Sequence, residues 1–132
     1  MLLKISHNIG KKVLLQTDNN SIKISGEIKN ENPGTYLLPF LNVIQTFIIK
    51  KSIKFVYFDI SGLDYINPAG IRDITSWTLQ IKNLPERHRY YVKLVTDPYK
   101  KWQEIFEMVF IDIFLLSVYF GPVIRSLSQI LK

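Results

Sequence analysis

Asn67-Pro68-Ala69-Gly70 is the stretch of this chain whose residue types and spacing point to more than packing. It follows an apolar run over residues 53–60 that reaches Asp59, then a Ser61-Gly62 turn and Ile66. After it, Ile71, Ile74, Thr78 and Ile81 recur at three- and four-residue steps, which predicts a helix. A helix start exposes unpaired N–H groups and carries about half a positive charge, so it suits a phosphate, a bound anion or a partner's carboxylate. Phosphate added there would bring roughly −1.5 to −2 charges and three acceptor oxygens. Pro68 and Ala69 offer no hydroxyl to receive it; the nearby hydroxyls are Ser61 before the junction and Thr75 and Ser76 inside the helix. The plainer reading is that Asn67 is an N-cap and Pro68 the first helical residue, positions that both residue types favour.

Other chemistries fit poorly. Asp59 and Asp64 could pair as general acid and base, but a strand-end turn and a loop account for both. Ser61-Gly62 lacks the preceding Gly-x of a nucleophile elbow, and neither His7 nor His88 has the neighbours of a triad. Gly62 and Gly70 match neither glycine-rich phosphate pattern. With no cysteine and two histidines, no metal site or other cofactor is expected, and the chain reads as a non-enzyme.

The elements that must hold the junction are legible in outline. Residues 13–17 and 21–28 flank the turn cluster Asp18-Asn19-Asn20 and predict a β-hairpin. In its second arm Ile22, Ile24, Gly26 and Ile28 alternate with Lys23, Ser25, Glu27 and Lys29, giving one wet side and a sheet backed by helices on one face. A helix is expected to begin between Thr35 and Pro39, with Leu37, Leu41, Ile44 and Ile48 inward and Lys50-Lys51 at its end. Residues 53–60 read as a central strand, covered on two sides or flanked by parallel neighbours. Leu84-Pro85 ends the second helix, and residues 90–96 form the next strand, making a parallel strand-helix-strand unit. Asp97-Pro98 repeats the cap signature before a third helix lined by Tyr99, Trp102, Ile105, Phe106 and Val109. Residues 115–120 read as a last strand, with a continuation of the helix as the alternative, and after the break at Gly121-Pro122 a helix over 123–131 completes the pattern. Trp77, one position off its helix's stripe, either flanks the core or reaches the surface as an interface anchor.

The fold class is therefore α/β: a single domain over residues 1–132, a small mixed β-sheet with helices packed on it. Seventeen Lys and Arg against eleven Asp and Glu give a net charge of +6, which favours polyanions or acidic protein surfaces. The excess is spread in doublets with no run of four, so solvated basic faces are expected rather than a nucleic-acid stripe. The start of the chain is interrupted by polar residues too early for a secretion signal, and the greasy run over 108–120 is too short to span a bilayer, so a cytoplasmic address without membrane contact is expected.

The order strand, Asp-x-x-Gly, hydrophobic residue and glycine-ending tetrad before a helix resembles the STAS domain, the fold of the anti-sigma factor antagonists, over about residues 12–120. In that family the tetrad reads Asp-Ser-Ser/Thr-Gly, and its first serine is phosphorylated to switch partner binding. Here Asn67 stands at the Asp, Pro68 at the phosphorylated serine and Ala69 at the second hydroxyl, and Gly70 matches by identity. Asn67, Ile71, Trp77, Arg89-Tyr90 and Trp102-Gln103 together are similar to a subgroup of bacterial STAS-like regulators whose tetrad reads Asn-Ser-Ser-Gly. The resemblance implies a docking module in a partner-switching or two-component circuit. Its partner would be a protein kinase or anti-sigma factor of the histidine-kinase-like ATPase fold, and its docking surface Asp59, Ser61, Gly62, Asn67, Pro68, Ala69, Gly70, Ile71, Asp73 and Trp77. Either the module is permanently unmodified, or control has moved to Ser61, Thr75 or Ser76. A nucleic-acid-binding basic domain and a structural homo-oligomer are the competing classes.

Overall fold

The computed structural model describes residues 1–115. The elements run β1 (Ser6–Ile9), β2 (Val13–Asp18), β3 (Ser21–Ile28), α1 (Gly34–Lys50), β4 (Phe55–Asp59), β5 (Leu63–Ile66), α2 (Pro68–Lys82), a 3₁₀ turn (Glu86–His88), β6 (Tyr91–Val95) and α3 (Trp102–Leu115). The six strands form one mixed sheet of order β1-β2-β3-β4-β6, with β5 paired to β3 off that path. This is the α/β architecture the pattern predicts.

β2 and β3 form the expected antiparallel hairpin, while β4 lies between parallel neighbours, β3 and β6. Ile22, Ile24 and Ile28 of β3 and Val56 and Phe58 of β4 face the helices and are almost wholly buried. Leu37, Leu41, Ile44 and Ile48 of α1 and Ile74, Thr78 and Ile81 of α2 meet them at the predicted positions. The other side of β4 is not covered by the described residues: Phe55 and Tyr57 are each 38% exposed. Of the two settings expected for that strand, the parallel one holds, and among the described residues none covers its second face.

Pro39 sits past the first turn of α1, which begins at Gly34. The helix forgoes the bond a Pro39 N–H would have given, because its stripe of four buried aliphatic residues anchors it regardless. Tyr90, just before β6, is buried and donates its hydroxyl to Gln45 Oε1 on α1. Burial pushes the Tyr90 phenol far above its ordinary range, so it remains a donor.

α3 keeps Phe106 and Trp102 of its expected stripe against the core and departs at two other positions. Tyr99 is 92% exposed and Ile105 68% exposed, whereas Gln103, Phe106 and Phe110 point inward. Asp97 Oδ1 accepts from Tyr99 N at 2.9 Å and so caps a turn, not the helix, which starts at Trp102. Gln103, Phe106 and Phe110 share one helical face, which brings a polar glutamine into the core. Residue 115 lies within α3, and the strand and helix expected beyond it fall outside the described residues. Among the described residues, no helix is long and apolar enough to cross a membrane.

Candidate functional site

β4 delivers Asp59 to the end of the sheet, where its carboxylate closes a turn. Asp59 Oδ1 accepts from Ser61 N at 2.9 Å and from Ser61 Oγ at 2.6 Å. After the turn the chain continues in the same direction as β5, a four-residue strand parallel to β3 that sequence patterning missed, because its outer pair of residues is buried and its inner pair exposed instead of alternating. At Gly26 and Glu27 the register of β3 shifts, and Gly26 N donates to Gly62 O at 3.0 Å. β3 thus pairs with β4 through residues 21–23 and with β5 through residues 26–28. Gly26 is the hinge between them.

Two side chains from the region of α3 hold the turn from the other side. Gln103, with no exposed surface, donates Nε2 to Ile60 O at 2.8 Å and Leu63 O at 3.0 Å, and its Oε1 accepts from Asp97 N at 2.7 Å. Lys100 Nζ donates to Ser61 O at 2.8 Å and pairs with Asp64 Oδ1 at 2.9 Å. Asp59 and Asp64 are therefore occupied by turn closure and an ion pair. The signal that could have found Gln103 was a long polar residue on the stripe Trp102, Phe106, Phe110.

The helix start is as predicted in position and richer in contacts. Asn67 has extended backbone angles, and its Oδ1 accepts from Gly70 N at 2.9 Å with Pro68 beginning the helix. Its Nδ2 also donates to Asn30 O at 2.7 Å, strapping α2 to the loop before α1. An aspartate would keep the cap and lose the strap, which is a physical reason for the amide. Although Asn and Asp cap equally well, Asn67→Asp is expected to lower stability by about 1 kcal/mol, and Asn67→Ala by about 1–2 kcal/mol. Urea unfolding with an unchanged slope would read both.

The predicted surface residues divide into those the structure exposes and those it encloses. Pro68 and Gly62 are exposed, and Asn67, Ala69, Ser61 and Asp59 are half-exposed. Gly70 is buried, because a Cβ there would stand 2.7 Å from Ile66 Cγ1 and 3.1 Å from Ile28 Cγ2. Gly70 therefore serves helix-to-sheet packing and offers nothing to a visitor. Trp77 is 1% exposed, with its ring 5.2 Å from Phe58, so its place is in the core and it is no surface anchor. Ile71 is half-buried against that core. Asp73 lies against the start of α1: a Cβ on Gly34 would meet its Oδ2 at 3.2 Å. α1 has no side-chain cap and no acidic residue in its first turn, so this carboxylate supplies the negative charge its N-terminus lacks. Desolvation, and next the Asp73 charge, raise the Tyr36 phenol beside it.

Of the candidate hydroxyls, Ser61 is engaged by Asp59, and a phosphate there would face that carboxylate at once. Thr75 is half-buried and Ser76 is exposed. No cluster of three metal-ligating side chains occurs among the described residues.

The class defined by these features is a small α/β domain with an anchored strand-to-helix junction at one end of a mixed sheet. A scan against protein-family models gives no match, and a search of curated proteins likewise finds none.

Proposed function

We propose that the chain is a non-catalytic docking module of the STAS type, acting through the outer side of the junction: Ser61, Gly62, Asn67, Pro68 and Ala69. The observation that supports this most is the outward-facing pair Pro68-Ala69 on an uncharged helix start whose supporting loop is tied down from three sides, by Asn30, Gly26 and Gln103. A preorganised surface loses little entropy when a partner lands on it. Without a hydroxyl at either position, the surface stays in the state that an unmodified switch presents to its partner. The proposed partner is a protein kinase or anti-sigma factor of the histidine-kinase-like ATPase fold, and the circuit a cytoplasmic one. Ser76 is the hydroxyl best placed for any modification.

Ala69→Glu tests the reading. A carboxylate in the first turn of α2 favours the helix, so thermal stability should hold or rise slightly. Partner capture from native cytoplasm, quantified by mass spectrometry, should fall by roughly a hundredfold, because a new charge buried at an interface costs several kcal/mol. Undiminished capture of the same kinase or anti-sigma factor would refute docking at this surface. Gly70→Asp is no substitute, because it would disturb packing and binding together.

A further inference from the structure

The basic residues that look scattered in sequence are gathered by the topology. β4 and β6 are parallel neighbours with Phe55 beside Tyr91, so the chain enters both strands at the same end of the sheet. The two entering segments are joined: Tyr91 N donates to Lys54 O at 2.9 Å, and Lys54 Nζ donates to Arg87 O. Lys50, Lys51 and Lys54 arrive on one segment and Lys82, Arg87 and Arg89 on the other, while Glu86 is the one carboxylate in residues 50–54 and 82–90. Lys50, Lys51, Lys54 and Arg87 are exposed.

Aromatic rings lie next to this basic end, on the sheet face that the described residues leave uncovered. Phe55, Tyr57 and Tyr91 are 38–40% exposed. Phe55 and Tyr57 meet edge to face with centroids 4.9 Å apart. In register, Tyr57 has Ser21 on one side and the exposed Lys93 on the other. Three carboxylates of the strands are also on this face: Asp18, which Lys23 meets at 3.5 Å, Glu27, which Lys29 meets at 3.4 Å, and Asp59, turned into its own loop at the far end of β4.

We infer that this end of the sheet face left uncovered by the described residues binds a single-stranded polynucleotide, with bases stacked on Phe55 and Tyr57 and phosphates held by Lys54, Arg87 and Lys93. Charge alone would fit any polyanion. Exposed aromatic rings beside lysines favour unpaired bases, whose faces are free to stack, over a duplex, whose bases are already stacked. The site is independent of the docking junction. α2 has 15 residues, which at 1.5 Å rise per residue separates its two ends by about 22 Å.

Fluorescence anisotropy of labelled twelve-nucleotide oligouridylate and oligothymidylate with the full chain tests this. Binding should weaken with salt at a log-log slope of about −2, as expected for roughly three phosphate contacts on a single strand. The Phe55→Ser/Tyr57→Ser double variant should bind at least about tenfold more weakly with a similar slope. Lys54→Glu/Arg87→Glu should flatten the slope, and a duplex of the same length should bind worse than either single strand. Circular dichroism of both variants checks that these surface changes leave the fold intact. The inference is overturned if neither oligonucleotide binds. It is overturned equally if the duplex or phosphatidylserine vesicles bind as well as the single strands and the aromatic variant changes nothing, since that result assigns the patch to charge alone or to a lipid surface.

Discussion

Gly26→Ala is expected to cost more than about 4 kcal/mol, a large part of what holds a domain of this size together. Gly26 has φ +98°, a backbone state that disfavours any Cβ. A Cβ added there would also lie 1.8 Å from the carbonyl oxygen of Lys12. That oxygen cannot simply move away, because it accepts from Glu27 N at 2.8 Å across the hairpin. Either the hairpin opens or the register shift at residues 26 and 27 is lost, and with it the attachment of β5. Thermal unfolding should show a midpoint lowered by more than about 10 °C, or no cooperative transition at all. A midpoint within two or three degrees of the parent would mean that Gly26 is not the hinge described above.

Gln103→Leu is the second large effect. The exchange preserves volume approximately and removes three hydrogen bonds made by a side chain with no exposed surface, two of them buried and one part-buried. Leu63 O is then left buried without that partner and the part-buried Asp97 N loses its acceptor, at about 1–3 kcal/mol for a buried group and less for the other, so a loss of about 2–4 kcal/mol is expected. Gln103→Glu separates polarity from hydrogen-bond direction. Its carboxylate keeps the acceptor for Asp97 N but turns negative oxygens toward two carbonyls, so it should be at least as damaging as leucine. Beyond global stability, hydrogen exchange should speed up at the amides of Ser61 to Leu63 before it changes in α1. A glutamate variant as stable as the parent would rule out the donor role.

The hairpin, the inward stripes of α1 and α2, the cap at Asn67 and the parallel unit through β4 and β6 were legible because each rests on local periodicity or on a cap residue. The features that were not legible come from contacts distant in sequence. β5 is four residues long and exists because Gly26 lets β3 change partners. β1 is nearly all polar and exposed, and it is held by ladder bonds to β2. Within the junction, Asn67 and Pro68 behave as their types predict. Gly70 joins the docking surface from its place in the tetrad, and Trp77, off the stripe, is open to either core or surface, yet their neighbours Ile66, Ile28 and Phe58 come from elsewhere in the chain and enclose both. Charge was misleading in the same way: no window of the sequence holds four basic residues in a row, and two parallel strand entries bring six together.

The amide of Asn67 has a chemical vulnerability that its neighbour removes. Asparagine ages to aspartate when the next residue's peptide nitrogen loses its proton and attacks the side-chain carbonyl, closing a succinimide ring. Proline has no such proton to lose. With Pro68 behind it, the strap to Asn30 is shielded from the slow hydrolysis that would turn a two-handed side chain into one that can only accept, and the junction should keep its shape over the lifetime of the molecule.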